Sequence, residues 1–312
     1  MKFEVRPAVA EDLASVLSLY NRAHPEEAPS SVEILAWSLA RADPSRPRAH
    51  LVAVLDKGVV GNGYIRAIPE MESLVLNIEV GPDYRRRGLG TELLARLLEV
   101  TGDEPRVMMA VSEASVSGIA FAEHRGFREH SRRYESELNL ETFDPALFAE
   151  GREVLDKSGI RFATLGDEDS PQFRRSLYQL AEQVRRDVPT PEPMPPTTYE
   201  EWERDWLDVP FASPATFAIA LVRDRPIALS YLVLEADGSG YNWVTGVART
   251  YRRRGLGLAI KVEALRLAKN LGVPFVRTHN DLTNVPMLAV NKRLGFQSRP
   301  GVIGFERVLK SG

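Results

Sequence analysis

Apolar positions along the chain alternate between a period of two and a period of three to four, and each change of period marks an element. Residues 3–8 alternate as a strand does. Ala10-Glu11-Asp12 then opens a run that places Leu13, Val16, Leu17 and Tyr20 on one helical side. Ser30-Ser31-Val32-Glu33 starts a second helix ahead of Ile34, Leu35, Trp37 and Leu39. Apolar runs at 49–55 and 59–65 flank Asp56-Lys57-Gly58 and predict a hairpin. Residues 74–80 predict a further strand, and Leu89, Leu93, Leu94, Leu97 and Leu98 form the stripe of the helix after it. A strand at 106–111, a short helix at 115–125 stopped by Gly126-Phe127, and a strand at 134–140 complete the order β-α-α-β-β-β-α-β-α-β.

The pattern then restarts. Residues 160–165 repeat the first strand, 173–184 the first helix, 216–222 and 227–234 the hairpin, and 243–247 the strand before a helix carrying Leu256, Ile260, Leu265, Ala268 and Leu271. One stretch recurs almost letter for letter, Tyr84-Arg85-Arg86-Arg87-Gly88-Leu89-Gly90 and Tyr251-Arg252-Arg253-Arg254-Gly255-Leu256-Gly257, at an offset of 167 from Arg85 to Arg252 and from Gly88 to Gly255. The first strands differ by a smaller offset, 157 from Val5 to Phe162, so the second half gains about ten residues between its first helix and its hairpin. The proline-rich run from Asp187 to Pro196 accounts for them, since it supports neither helix nor strand alternation. The expected organisation is a domain at 1–140, a helical linker at 141–158 and a second domain at 159–312. The fold class is α/β, a mixed α+β sheet written twice in tandem.

Each repeated stretch lies between a strand and a helix, where the first helical turn offers unpartnered N–H groups and the positive end of the dipole. Glycines let phosphates approach the backbone, and arginines supply forked donors. Two familiar phosphate loops do not fit. A P-loop ends in Gly-Lys-Ser/Thr, whereas Thr91 and Leu258 follow the last glycines here, and the dinucleotide fingerprint needs a third glycine where Leu93 and Ile260 stand. What remains is Arg-x-x-Gly-x-Gly. With it the chain resembles the GNAT superfamily of N-acetyltransferases, on Arg85, Gly88 and Gly90 in the first half and Arg252, Gly255 and Gly257 in the second.

That resemblance implies acetyl-coenzyme A as co-substrate, its pyrophosphate received by Arg85, Arg86, Arg87, Gly88, Leu89, Gly90 and Thr91, or by Arg252, Arg253, Arg254, Gly255, Leu256, Gly257 and Leu258. It also places the oxyanion at a backbone N–H of Val80 or Val247. The run from Asn284 to Gly295-Phe296 resembles the family's Asn-x-x-Ala-x-x-x-Tyr-x-x-x-Gly-Phe element, with Asn284 at its asparagine. The tyrosine that protonates the leaving thiolate in the family is Ala122 in the first half and Asn291 in the second. Ala122 donates nothing, and Asn291 offers a hydrogen bond without a proton to give up. Glu79 and Asp281 are the candidate bases. Residues 187–196, with Tyr199, Trp202 and Trp206 after them, are expected to wall the acceptor side. The second half holds the fuller set and is the expected active site, for direct transfer to a primary amine of a small molecule.

Composition narrows the rest. A net charge of −3 over 312 residues gives no general field for nucleic acid, and no apolar span is long enough for a membrane helix, so a cytoplasmic monomer or homodimer is expected. No cysteine is present, which removes disulfides and a cysteine acyl-enzyme. Five scattered histidines lack metal-ligand spacing, and no metal is expected. Two other readings remain open: a non-catalytic acyl-coenzyme A-binding module, and an acetyltransferase acting on proteins.

Overall fold

The computed structural model describes residues 3–25, 29–56, 58–68, 71–190 and 194–309. Lys57 of the hairpin turn, Pro191-Glu192-Pro193 of the proline-rich run and the amino-terminal Met1-Lys2 lie outside them. Elements follow the predicted order. The first repeat contains β1 (Glu4–Pro7), α1 (Leu13–Ala23), α2 (Val32–Ala40), β2 (Arg48–Leu55), β3 (Gly58–Ala67), β4 (Leu74–Val80), α3 (Leu89–Leu98), β5 (Arg106–Ser112), α4 (Val116–His124) and β6 (Arg128–Asn139). A helix at the expected linker, α5 (Ala149–Lys157), leads to β7 (Ile160–Thr164), α6 (Leu165–Glu168), α7 (Pro171–Asp187), α8 (Tyr199–Trp202), β8 (Phe217–Val222), β9 (Arg225–Leu234), β10 (Gly240–Val247), α9 (Leu256–Asn270), β11 (Phe275–Asp281), α10 (Val285–Leu294) and β12 (Gln297–Val308). Three helices carry side-chain N-caps: Ser31, Ser115 and Asn284 accept from the backbone N–H of Ile34, Gly118 and Met287.

The compact units are not consecutive halves. One comprises Met1–Arg132 together with Val302–Gly312, the other Arg133–Gly301. Strand pairing is the cause. In the first unit the strand order is β1-β2-β3-β4-β5 with the end of β12 outermost, because Val302 pairs with Ser112 and the register runs antiparallel to Val308 against Arg106. In the second unit β11 takes its outer neighbour from β6, from Asp281 opposite Arg133 to Phe275 opposite Asn139, and the order continues β10-β9-β8-β7. Each fifth strand therefore pairs with the closing strand encoded in the other repeat. Both closing strands run for 12 residues, so either is long enough to cover a seven-residue partner. Exchange of equivalent elements costs little when the copies are related. The expected domain at 1–140 therefore differs from the first unit by this exchange, and α5 is part of the second unit, with Leu155 buried against Ile160, Ile227 and Ile260.

The helix after each repeated turn anchors its unit. On α3, Leu89, Leu93, Leu94 and Leu97 are buried. Leu94 and Leu97 pack with Ile65, Leu74, Leu76 and Phe305. On α9, Leu256, Ile260 and Ala264 fill the space over Ala218, Ala220, Ile227 and Ala228. Each such aliphatic side chain contributes roughly 1.5–3 kcal/mol on leaving water. No helix among the described residues is long and apolar enough to cross a membrane.

On the other face of the second unit's strands α7 packs against β9 and β10 and presses on Gly246. A Cβ on Gly246 would lie 2.2 Å from Cγ1 of Val184. The absent side chain is thus a packing requirement of the helix, and Gly246→Ala is expected to lose roughly 1–3 kcal/mol by overpacking. Chemical denaturation of Gly246→Ala and of the Val184→Ala/Gly246→Ala double variant checks this: the second substitution should recover part of the loss, since Val184 Cβ would still stand 2.9 Å from the new Cβ, and full stability in Gly246→Ala alone would contradict the contact.

Candidate active site

Parallel strands part beside each repeated turn. β4 pairs with β5 only from Leu74 opposite Val107 to Leu76 opposite Met109, so residues 77–80 run on without a partner on that side. β10 pairs with β11 at Gly240 opposite Val276 and Tyr241 opposite Arg277, and residues 242–247 diverge. The second opening has an additional feature, a break in register between Asn242 and Val244 on the β9 side, which bulges β10 at Trp243. β3 and β4 keep continuous register across the same place. Bulges bend a strand and redirect its side chains, so the two openings are shaped differently.

Val80 and Val247 end the diverging strands, and their carbonyls are held in the same way. Arg85 Nε donates to Val80 O at 3.1 Å, and Arg252 Nε donates to Val247 O at 3.0 Å. The next arginines, Arg86 and Arg253, take positive φ of 63° and 60°. Gly88 and Gly255 follow as helix N-caps at 83° and 79°, a region open to glycine at little cost. Neither helix start is capped by a side chain, and nothing lies within 4 Å of where a Cβ on Gly88 or Gly255 would stand. The first-turn N–H groups beginning at Leu89 and Leu256 thus face open space at the positive end of a helix. This geometry suits an anion such as a pyrophosphate.

The repeats differ at the second glycine. A Cβ on Gly90 would meet Phe121 at 3.3 Å, whereas on Gly257 it would meet only Val247 Cγ2, at 3.7 Å. Thr91 accepts from Arg125 Nη2 at 2.5 Å, while the matching Leu258 packs beside the apolar cluster of Leu265 and Phe296. Arg87 and Arg254 lie 5.9 and 5.5 Å from the rings of Tyr84 and Tyr251. Among the described residues, only the second turn carries a carboxylate clasp: Asp187, the last residue of α7, accepts from Arg249 and from Arg252. The hydrogen bond from Arg249 first, then burial working against it, leaves Asp187 below the usual carboxylate range. After the proline-rich run the chain is tied back to α7. Arg185 donates to Pro195 O, and Thr197 donates to Glu182 at 2.6 Å. Of the expected wall, Asp187 thus lies against the second turn and Pro195 is held to the end of α7. Pro191-Glu192-Pro193 lie outside the described residues, and Trp202 is buried among Tyr178, Tyr199 and Trp206 as core.

The candidate bases are engaged. Glu79 is buried and accepts from Asn62 Nδ2 at 2.8 Å, and Asn62 Oδ1 lies 2.7 Å from His50 Nε2. Its place in the second repeat is Gly246, under Val184. Asp281 directs Oδ1 at Thr283, accepting from its N at 2.8 Å and its Oγ1 at 2.6 Å, an arrangement that shapes the turn into α10. Asn291 is 2% exposed and sits where expected on α10.

A residue absent from the sequence reading adjoins it. Lys261 of α9 is 1% exposed, and its Nζ donates to Asn291 Oδ1 at 2.6 Å while lying 4.8 Å from the centre of the Phe296 ring. Burial pushes the ammonium down to about 7. The signal was available in the repeat, since Lys261 occupies the place of the stripe residue Leu94 at the same offset of 167 as Gly88 and Gly255.

The model of the acetyltransferase (GNAT) family matches residues 13–127 and 176–296, and the chain belongs to that family. Among curated relatives, the mycothiol acetyltransferase of Nocardiopsis dassonvillei is 25% identical over 320 residues, covering 93% of each chain. That of Acidothermus cellulolyticus is 23% identical over 268 residues, 80% of this chain and 76% of its own. Of solved structures, a GCN5-related N-acetyltransferase from Sphaerobacter thermophilus superposes with a TM-score of 0.76 at 21% identity, over 99% of this chain and 96% of that one. A tandem GNAT protein from the clavulanic acid biosynthesis pathway gives 0.75 at 20% identity, with full coverage of both. The protein is thus a tandem-GNAT acetyltransferase.

A buried lysine with a lowered pKa sets a pH dependence. The unfolded lysine stays protonated to about pH 10, so between about 7 and 10 the unfolded chain binds more protons and stability rises with pH. Below about 7 the folded protein carries the full cost of the buried charge. Lys261→Met should therefore unfold at a higher temperature than the parent at about pH 6 and should lack the rise above 7. Thermal melts across that range test it, and a Lys261→Met variant less stable at the acid end would contradict the assignment.

Proposed function

We propose that the chain transfers the acetyl group of acetyl-coenzyme A directly to a primary amine of a small molecule, and that the second repeat holds the working site. The observation that carries this reading is the open, side-chain-free helix start at Gly255–Gly257 beside a bulged, diverging β10. There an anion receptor and an unpaired strand end meet. Arg253, Arg254 and the N–H groups of Leu256, Gly257 and Leu258 would receive the pyrophosphate, with Asn284 fixing the start of α10 beside them. The acetyl-coenzyme A supplies an activated acyl group. An unprotonated acceptor nitrogen attacks the carbonyl carbon, and the backbone N–H of Val247 stabilises the oxyanion. With no cysteine in the chain, no thiol acyl-enzyme intervenes.

The relatives named mycothiol acetyltransferases favour a small acceptor over a protein. Asp281 and Asn291 then serve the shape and polarity of the site, since Asp281 is committed to Thr283 and Asn291 to Lys261. One observation favours a second reading, in which the first repeat contributes chemistry. Glu79, next to Val80, is a carboxylate without counterpart in the second repeat. Release of coenzyme A thiol, followed over a panel of small amines, tests both. At least one amine should be turned over, Gly257→Leu should reduce turnover by roughly a hundredfold or more by filling the receptor, and Glu79→Gln should change it less than about threefold. Loss of activity in Glu79→Gln with Gly257→Leu unaffected would move the site to the first repeat.

A further inference from the structure

The second unit contains a buried polar string that the first lacks. Lys261 Nζ donates to Asn291 Oδ1 at 2.6 Å, and Asn291 Nδ2 donates to Asn280 Oδ1 at 2.6 Å. The corresponding residues of the first repeat are Leu94, Ala122 and Val111, the last two found at the offset of 169 that relates Phe127 to Phe296. Leu94 and Ala122 belong to one apolar cluster, and Val111 packs against it. Three apolar residues that meet in one repeat have thus become three polar residues that hydrogen-bond in series in the other. One such change is tolerated drift. Three that satisfy one another form a unit, and a buried ammonium without a carboxylate partner is costly enough to need a use.

The string points toward the parted strands. Thr278 and Asn280 share a face of β11. Thr278 Oγ1 still reaches Asn242 O on β10 at 3.0 Å, but Asn280 lies beyond the last β10–β11 pair, at Arg277. Its Nδ2 makes no hydrogen bond among the described residues, leaving a donor at the opening where β10 ends in Val247. We propose that Lys261, acting through Asn291 and Asn280, is the positioning cation for the sulfur that leaves in the second-repeat site. This rests on the proposed function above.

A cation polarises amides that follow it in a chain, so each hydrogen bond strengthens the next. The terminal Nδ2–H then carries enough positive character to hold a thiolate. During transfer the C–N bond forms as the acceptor nitrogen attacks, the C–S bond breaks with its electron pair passing to sulfur, and the acceptor's proton goes to water. No proton passes from Lys261 to the sulfur, and the thiolate forming at the end of the string favours the charged lysine over the neutral one, so the string replaces the absent tyrosine by charge stabilisation instead of acid catalysis. Ionisable groups on the surrounding elements are occupied elsewhere. Glu263 of α9 pairs with Arg152 and Arg266, Arg277 of β11 with Glu137, His279 lies beside Tyr241, and Asp281 holds Thr283. Lys292 and Arg293 of α10 are exposed. Burial alone perturbs Lys261.

The test is the ionisation of bound coenzyme A, followed by thiolate ultraviolet absorbance against pH in a Gly88→Glu background that confines the signal to the second repeat. The thiol should titrate about one unit or more below free coenzyme A. In Lys261→Met and in Asn280→Val it should return to the free value, while Kd measured where the thiol is protonated changes less than about threefold. A merely structural role would alter affinity or melting without moving the thiol. An unshifted thiol in the parent, or a shift that survives in both variants, overturns the proposal. If coenzyme A does not bind at all, the proposed function fails with it, whereas binding with an unperturbed thiol removes this inference alone.

Discussion

Everything in the site depends on how the backbone turns from the end of a strand into the start of a helix. One hydrogen bond, made twice, holds that turn: an arginine Nε returns to the carbonyl of the valine that ends the strand, Arg85 to Val80 and Arg252 to Val247. The left-handed residues that follow swing the helix start into the open, and the leucine stripe behind it fixes the helix to the sheet. The first arginine of each motif therefore acts first on the protein's own backbone. Beyond it the helix start is left open, with nothing within 4 Å of where a Cβ on Gly88 or Gly255 would stand.

The two repeats share this frame and differ in what surrounds it. In the first, Glu79, Asn62 and His50 form a buried polar group on β2, β3 and β4. In the second, the equivalent side is aromatic, with Phe217, Tyr231 and Trp206 stacked and α7 pressed onto Gly246. The polarity of the other side is reversed: apolar around Leu94 and Ala122 in the first repeat, polar around Lys261 and Asn291 in the second. Duplication has supplied one scaffold twice, and each copy has placed its polar residues on a different side of its sheet.

Local chemistry made much of this legible in the sequence. Strand β4 from Leu74 to Val80, the helix starts near Ser31 and Ser115, and the paired Arg-x-x-Gly-x-Gly turns depend on neighbours in the chain, and pattern alone locates them. The pairing of the closing strands did not show, because β6 and β12 are equal in length and each fits either fifth strand. Asp281 read as a base from its place at a strand end, but the hydroxyl two residues on claims it. Lys261 was hidden because the polar exception in an apolar stripe reads as a solvated residue until its partner on α10 is seen. Alignment of the repeats against each other would have exposed it.

The central claim is that the second strand–helix turn is the receptor for acetyl-coenzyme A used in transfer. Calorimetric titration of acetyl-coenzyme A into Gly255→Glu, beside Gly255→Ala to account for the left-handed backbone, measures it most directly. The alanine variant should bind within a few-fold of the parent, and the glutamate variant should lose at least about tenfold in affinity through repulsion at the helix start. Equal affinity in the two variants would mean that the anion does not sit at that turn, and the account would fail.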